Sequence, residues 1–203
     1  MAQKIDKFKY NRRSIRLKEY DYSQNGWYFV TICTQNRKCL FGEIPFVGAD
    51  QCVCPNPVVR LNTAGNIVNK WWLELKNKFT NVELDEYVVM PNHIHGIINI
   101  VSGAHPLGAH PLGAHPLGAH PLGAHTGAPL QEIIQWFKTM STNEYIRLVK
   151  SGALPPFEKS VWQRNYYEHI IRTKNELNRI QFYIKENPAM WERDRNNLLG
   201  KTT

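Results

Sequence analysis

Two apolar segments in the middle of the chain are separated only by a short polar turn. Residues 87–90 read Tyr-Val-Val-Met, and after Pro91 and Asn92 the chain continues through His-Ile-His-Gly into the apolar run of residues 97–101. Valine, isoleucine and tyrosine at this density predict β-strands, at residues 82–90 and 94–101. The second segment is apolar almost throughout, which predicts a strand buried at the centre of a sheet.

Two histidines, His93 and His95, lie at the start of the predicted central strand, one just before it and one within it. Residues i and i+2 of a strand project from the same face, so the two imidazoles can bind one metal ion. A rigid strand is a suitable support for such a site. An arbitrary pair with this spacing more often has no ligand role, so the rest of the chain must decide between the two interpretations.

Composition favours a single globular domain with a polyanionic partner. The chain has 203 residues, 42% of them hydrophobic, and the excess of basic over acidic residues gives a net charge of 25 − 17 = +8. Such a charge favours nucleic acid over membrane, although it also occurs on merely soluble basic surfaces. Neither a membrane-spanning run nor a signal-peptide core is visible, so we expect a cytoplasmic protein that does not bind membranes.

Four cysteines, at positions 33, 39, 52 and 54, lack the Cys-x-x-Cys spacing of a zinc ribbon. The remaining patterns predict an α+β fold. A strand is predicted at residues 27–34, and residues 38–44 are predicted to form a second strand that could pair with it as a hairpin. Helices are predicted at about residues 64–79, 130–149 and 174–187, with a short strand at residues 158–162 between the last two.

A low-complexity insertion occupies residues 103–129, where Gly-Ala-His-Pro-Leu is repeated and then decays. A proline and a glycine in every five residues exclude a helix or a central strand. The segment is expected to be an exposed, flexible insertion within one domain spanning residues 1–203. Five histidines repeat through it, so fortuitous metal binding is conceivable: His105, His110, His115, His120 and His125.

Four segments together resemble the REP-associated tyrosine transposases, single-tyrosine members of the HUH nuclease superfamily. The resemblance extends from about Arg12 to Trp191, apart from the repeat insertion. The segments are Trp27-Tyr28-Phe29-Val30-Thr31, Val89-Met90-Pro91-Asn92-His93-Ile94-His95, Val161-Trp162-Gln163-Arg164-Asn165-Tyr166-Tyr167-Glu168-His169, and Tyr183-Ile184-Lys185-Glu186-Asn187-Pro188.

The resemblance implies a ferredoxin-like antiparallel sheet with helices packed on it and a site for metal-dependent DNA strand cleavage. It implies that His93 and His95 bind Mg²⁺ or Mn²⁺ and that Tyr183 is the nucleophile, forming a 5′-phosphotyrosine. It assigns Asn187 as the third ligand, and Glu186 remains an alternative for that role. Tyr166 and Tyr167 are competing nucleophiles, whereas His169 is more simply interpreted as a hydrogen-bonded structural residue.

The substrate implied by the resemblance is single-stranded DNA folded into short hairpins of the repetitive extragenic palindrome type. A non-catalytic nucleic-acid-binding protein with the same fold is the main alternative, and the protein could act as a monomer or a homodimer. Lys138, Arg147 and Lys150 are further candidates for backbone contacts. The principal DNA-binding candidates are Arg12, Arg13, Arg16, Trp162, Arg164 and Arg172, although Trp162 is equally interpretable as a core residue.

Overall fold

The computed structural model describes residues 24–45, 58–101 and 128–197. The strands are β1 (Gly26–Cys33), β2 (Gly42–Glu43), β3 (Arg60–Leu61), β4 (Val82–Met90), β5 (His93–Ile100) and β6 (Tyr167–Ile171). The helices are α1 (Thr63–Leu73), α2 (Leu75–Lys78), α3 (Leu130–Lys150) and α4 (Lys174–Glu186), with short 3₁₀ turns at Gln35–Arg37 and Trp191–Arg193.

The main sheet has four antiparallel strands in the order β4-β5-β1-β6. Helices connect β1 to β4 and β5 to β6, which confirms the predicted α+β, ferredoxin-like arrangement. As predicted, β5 is central and buried along its whole length. It pairs with β1 in a register that places His95 opposite Thr31 and His93 opposite Cys33.

The strict alternation of side chains along β1 and β5 divides the core between the two faces of the sheet. One face carries Ile94, Ile98 and Ile100 and packs against residues of α1 and α3. The other face carries Phe29 and Ile97 and packs against α4. His93 and His95 share the parity of Ile97, so they lie on the α4 face.

Gly96 follows the histidines and allows close packing on the opposite face of the sheet. A Cβ atom at this position would overlap the fully buried ring of Trp72 from α1. The absence of a side chain on Gly96 therefore brings α1 against the centre of the sheet, directly behind the two histidines.

Two sequence predictions about strands were wrong. Residues 38–44 do not form a hairpin with β1, because both edges of β1 are already paired, with β5 and with β6. Gly42–Glu43 pairs with Arg60–Leu61 instead. Residues 158–162 contribute only an isolated bridge between Trp162 and Thr34, and the edge strand is Tyr167–Ile171.

The predicted helices are found, although the helix expected at residues 64–79 is interrupted at Glu74 between α1 and α2. None of the described helices is both long and apolar enough to cross a membrane. Residues 103–127 of the predicted insertion, and the arginines at positions 12, 13 and 16, lie outside the described residues. The assignment of the whole chain to a single domain stays a prediction.

Candidate active site

His93 and His95 lie side by side on the α4 face of β5, with ring centroids 4.4 Å apart. Both are almost completely buried, with exposed fractions of 0% and 2%. A second ring, Phe29 of β1, stacks on His95 at a centroid distance of 5.4 Å. The strand pairing thus fixes the two imidazoles in a single, preorganised arrangement, as the sequence spacing predicts.

Asn92 sets the protonation pattern of His93. Its Nδ2 donates to the backbone oxygens of Arg37 at 3.1 Å and Asn196 at 2.8 Å, so its Oδ1 faces His93 Nδ1 at 2.8 Å. An amide oxygen can only accept, which requires that His93 Nδ1 carries the proton. The lone pair of His93 is therefore on Nε2, the atom that is left to bind an ion.

His95 has a comparable arrangement. Its Nδ1 lies 2.8 Å from Thr31 Oγ1, and its Nε2 lies 3.4 Å from the hydroxyl of Tyr183. Nδ1–H can donate to the threonine hydroxyl, which leaves the Nε2 lone pair directed at the tyrosine. Ligating histidines in metalloproteins are commonly held in this way through their second nitrogen.

Both imidazoles are neutral at physiological pH. Burial, reinforced by the nearby Arg37 guanidinium, lowers the pKa of His93 to about 3. Burial also lowers the pKa of His95 well below 6.5, and His93 reinforces this effect. Desolvation disfavours the charged form of a base, so each ring retains the lone pair that a metal requires.

Asp194 completes the cluster, and the sequence analysis missed it. One ligand atom from each of His93, His95 and Asp194 lies within 4.8 Å of the others. Asp194 Oδ2 is 3.5 Å from His93 Nε2, and neither atom has a hydrogen-bond partner although both are buried. Two electron-rich atoms facing each other without a proton are unfavourable, and a cation between them would remove the conflict. These residues therefore fit a divalent metal.

The position of Asp194 depends on the docking of the C-terminal segment, residues 188–197. Its Oδ1 accepts from the backbone N–H of Asn196 at 2.7 Å. Asn92 holds the Asn196 carbonyl, Arg37 Nη1 donates to the Arg195 carbonyl at 3.1 Å, and the Trp191 ring stacks on His93. The resemblance ends at Trp191, and no local pattern in the sequence indicates that a carboxylate three residues later returns to β5.

Tyr183 projects from α4 toward the cluster of His93, His95 and Asp194. Its ring is 46% exposed, and partial burial together with the Asp194 charge raises its pKa above 10. Asn187, one turn later and 2% exposed, has a buried Oδ1 without a hydrogen-bond partner among the described residues. The roles of Tyr183 as nucleophile and Asn187 as ligand remain predictions. Glu186 is half-buried.

Tyr167 lies on β6 near the site but contacts Phe29 rather than the histidines. Tyr166 is buried on the opposite side of the sheet, with the Lys138 ammonium over its ring. His169 lies on β6, and its Nε2 is 2.7 Å from Oε1 of Glu176 in the first turn of α4, so His169 has a structural contact between the strand and the helix. Of the three tyrosines, Tyr183 is the one whose hydroxyl meets the His pair.

Some of the DNA-binding candidates are exposed in the structure and others are buried. Arg164 and Arg172 are exposed, and Arg164 lines an open cleft of about 380 Å³. Trp162 is 5% exposed and packs between Phe41 and Phe137, so it is a core residue and not a surface for bases. Lys138 is also buried, and its ammonium donates to the backbone oxygens of residues 163–165, which corrects its assignment to phosphate contact.

Comparison with known proteins identifies one clear relative by sequence. No family model matches the chain. An uncharacterized protein of Haemophilus influenzae is 38% identical over an alignment of 203 residues, which covers 96% of this chain and 97% of that protein. The two proteins belong to one family. The similarity extends through nearly the whole length of both chains and therefore includes the segments that build the site.

Comparison with solved structures identifies the fold. A REP-associated tyrosine transposase, solved bound to a REP hairpin, superposes with a TM-score of 0.50 at 18% sequence identity. The superposition covers 87% of this chain and 73% of that chain. The predicted resemblance to the REP-associated tyrosine transposases is thereby confirmed at the level of the fold.

Proposed function

We propose that the protein is a metal-dependent transposase or endonuclease that binds hairpin DNA and cleaves and rejoins single strands through Tyr183. The observation that supports this most directly is the 3.4 Å distance between the Tyr183 hydroxyl and Nε2 of His95, a member of the His93, His95 and Asp194 cluster. The proposed nucleophile on α4 therefore lies beside the proposed metal ligands, which come from β5 and from the C-terminal segment.

The proposed ion is Mn²⁺ or Mg²⁺, held by His93, His95 and Asp194, with Asn187 as a candidate fourth ligand. Carboxylate and amide oxygens suit both ions, and Mn²⁺ also accepts imidazole nitrogen. When bound, a divalent ion supplies Lewis-acid stabilisation of charge on a phosphate oxygen. The protein contributes the rigid strand, the His93 tautomer fixed by Asn92, the contact of Thr31 with His95, and the burial of both imidazoles.

Tyr183 would attack the scissile phosphorus through its phenolic oxygen. A new Tyr–O–P bond forms while the bond from phosphorus to the 3′ oxygen breaks, and the released 3′ oxygen takes up a proton. His95 Nε2 is assigned to the ion, so the phenolic proton leaves to solvent, which reaches the 46% exposed ring. The 3′-hydroxyl of another strand can reverse the step and join new ends without an external energy source.

The proposed substrate, hairpin DNA, is supported by the positive charge of the protein and by the structural neighbour that was solved with DNA. The chain carries a net charge of +8, and two of the predicted DNA-binding arginines, Arg164 and Arg172, are exposed. The structural neighbour was solved with a REP hairpin, and we propose hairpin DNA of that class for this protein too. A phosphate-binding surface of this kind would make affinity fall steeply with salt.

A covalent-adduct assay tests the proposal. The full-length protein is incubated with Mn²⁺ and a pool of single-stranded hairpins labelled at either the 3′ or the 5′ end. Because the phosphate stays on Tyr183, the 3′-labelled DNA should remain attached to the protein in denaturing gels, and the 5′-labelled product should be released. Tyr183→Phe and His93→Ala should abolish the adduct.

Tyr167→Phe is the matched control, since it removes the hydroxyl of a neighbouring exposed tyrosine, and it should retain the adduct. An adduct lost in Tyr167→Phe and kept in Tyr183→Phe would overturn the nucleophile assignment. Salt-sensitive hairpin binding without any adduct would instead favour the non-catalytic alternative.

A further inference from the structure

An exposed tyrosine lies beside the proposed nucleophile on the same face of the sheet. The buried Phe29 ring contacts Tyr183 on one side, at a centroid distance of 6.1 Å, and Tyr167 on another, at 6.3 Å. Tyr167 belongs to the edge strand β6, and 42% of its side chain is exposed. Its ring thus offers an aromatic surface adjacent to the position where Tyr183 would react.

A cation lies over this aromatic surface. The Arg195 guanidinium is 5.9 Å from the centre of the Tyr167 ring. In the described part of the chain, no carboxylate lies within ion-pair distance of Arg195, and its side chain is exposed.

The backbone of Arg195 is held firmly although its side chain is exposed. Its carbonyl accepts from Arg37 Nη1 at 3.1 Å, the preceding residue is Asp194 of the metal cluster, and the following residue is bound by Asn92. One docked segment therefore directs a carboxylate toward the histidines and, at the next position, a guanidinium toward Tyr167. This arrangement orders a cation that would otherwise be free at the surface.

We propose that Tyr167 and Arg195 form a nucleotide clamp, in which the Tyr167 ring stacks on an unpaired base and Arg195 binds the adjoining phosphate. This inference deepens the proposed function and rests on it. Aromatic rings with a neighbouring arginine are a recurrent means of binding single-stranded DNA, because every base has a π-face and every nucleotide a phosphate. The clamp would position the strand so that the scissile phosphate meets Tyr183.

Binding measurements on uncleaved DNA test the clamp. The parent protein is the full chain with Tyr183→Phe, titrated with fluorescein-labelled (dT)15 in the presence of Mn²⁺ and followed by anisotropy. Tyr167→Ala should weaken binding about tenfold, the cost of losing one stacked base, whereas Tyr167→Phe should bind like the parent. Arg195→Ala should weaken binding and reduce the slope of log affinity against log salt by about 0.7, the value for one phosphate contact.

Arg193→Ala is the matched control, because it removes an exposed arginine from the same segment two residues earlier. It should retain the affinity of the parent, and Arg195→Lys should recover part of what Arg195→Ala loses. The clamp is excluded if Tyr167→Ala and Arg195→Ala bind like the parent, if Tyr167→Phe loses as much as Tyr167→Ala, or if Arg193→Ala loses as much as Arg195→Ala.

The same titration separates failure of the clamp from failure of the proposed function. A parent protein that binds no (dT)15 and no hairpin DNA would refute both. A parent that binds DNA tightly, with unchanged affinity in the Tyr167 and Arg195 variants, would refute the clamp alone. Thermal melting of each variant shows whether a loss of binding reflects unfolding, and Arg195→Lys serves in place of Arg195→Ala if that variant unfolds.

Discussion

Single residues decide what the candidate metal centre can bind. Asn92 is completely buried, and its side-chain amide uses both of its polar atoms on three partners, Arg37, Asn196 and His93. It thereby fixes the tautomer of His93 and holds the C-terminal segment against β5. The Pro-Asn-His-Ile-His sequence is thus more than a metal-ligand spacing, because the asparagine before the first histidine orients that ligand.

We expect Asn92→Leu to weaken Mn²⁺ binding about 10- to 100-fold, the usual effect of losing a partner that orients a metal ligand. The leucine cannot accept from His93 Nδ1, so the ring loses its preferred tautomer. Isothermal titration with Mn²⁺ measures the change. Asn99→Leu is the matched control, since Asn99 lies buried on the same strand and bonds to Glu83 away from the histidines. Equal Mn²⁺ affinity in the two variants would contradict the role of Asn92.

Replacing Asp194 by asparagine should raise the stability of the metal-free protein and remove the stabilisation by metal. In Asp194→Asn the side-chain N–H can donate to His93 Nε2, which removes the unfavourable pairing of two acceptors. We expect the metal-free variant to be more stable than the parent by about 1–3 kcal/mol. We also expect Mn²⁺ to raise the melting temperature of the parent but not of the variant. A variant stabilised by Mn²⁺ as strongly as the parent would show that Asp194 is not a ligand.

At the scale of the elements, the hydrophobic patterns of the sequence were sufficient to predict most of the strands and helices. β1, β4, β5, α3 and α4 lie within one or two residues of their predicted limits, because each has a long periodic or β-branched run. β6 was missed because it is a short edge strand, stabilised by pairing with β1 rather than by its own sequence. The predicted hairpin between β1 and residues 38–44 was also wrong, because strand pairing depends on contacts between residues far apart in the sequence.

Substitution of Gly96 tests how closely the sheet packs against α1. Gly96→Ala should destabilise the protein by about 1–3 kcal/mol, because the added methyl group overlaps the buried Trp72 ring and an overpacked core must shift. Urea unfolding measures the loss. Gly26→Ala is the control, because a methyl group there meets the Tyr28 ring at an ordinary contact distance of 3.7 Å. A Gly96→Ala variant as stable as Gly26→Ala would contradict the packing.

Glu176 lies in the first turn of α4, the helix that carries Tyr183, and its hydrogen bonds should make the stability of the protein depend on pH. Glu176 accepts from the backbone N–H of Arg172 at 2.9 Å and lies 2.7 Å from His169 Nε2. These bonds lower the pKa of Glu176 below 4.5, so the stability they add is present above pH 4.5 and is lost as pH falls through the lower folded-state value.

The comparison of Glu176→Gln with the parent tests this contribution. The parent should be the more stable at pH 7, and the difference in unfolding free energy should shrink as the pH falls below 4.5. Glu192→Gln, an exposed residue outside α4, should show no such trend. A difference that stays constant between pH 7 and pH 3 would contradict the assignment.

At the scale of the whole molecule, the site is assembled from distant parts of the chain. β1 supplies Phe29 and Thr31, β5 supplies the histidines, α4 supplies Tyr183, and the C-terminal segment supplies Asp194. Sequence spacing could indicate the His pair, because both residues lie on one strand, whereas Tyr183 and Asn187 were implied by the family resemblance. It could not predict Asp194, which reaches the histidines only through the tertiary docking of its segment.

Peptide mapping of the adduct shows whether Tyr183 forms the proposed covalent bond to DNA. The protein is reacted with hairpin DNA and Mn²⁺, digested with nuclease and protease, and analysed by tandem mass spectrometry. We expect a nucleotide attached through its 5′-phosphate to the phenolic oxygen of Tyr183, and none when His93 is replaced by alanine. A nucleotide on Tyr166 or Tyr167, or the absence of any modified peptide after DNA has been cleaved, would contradict it.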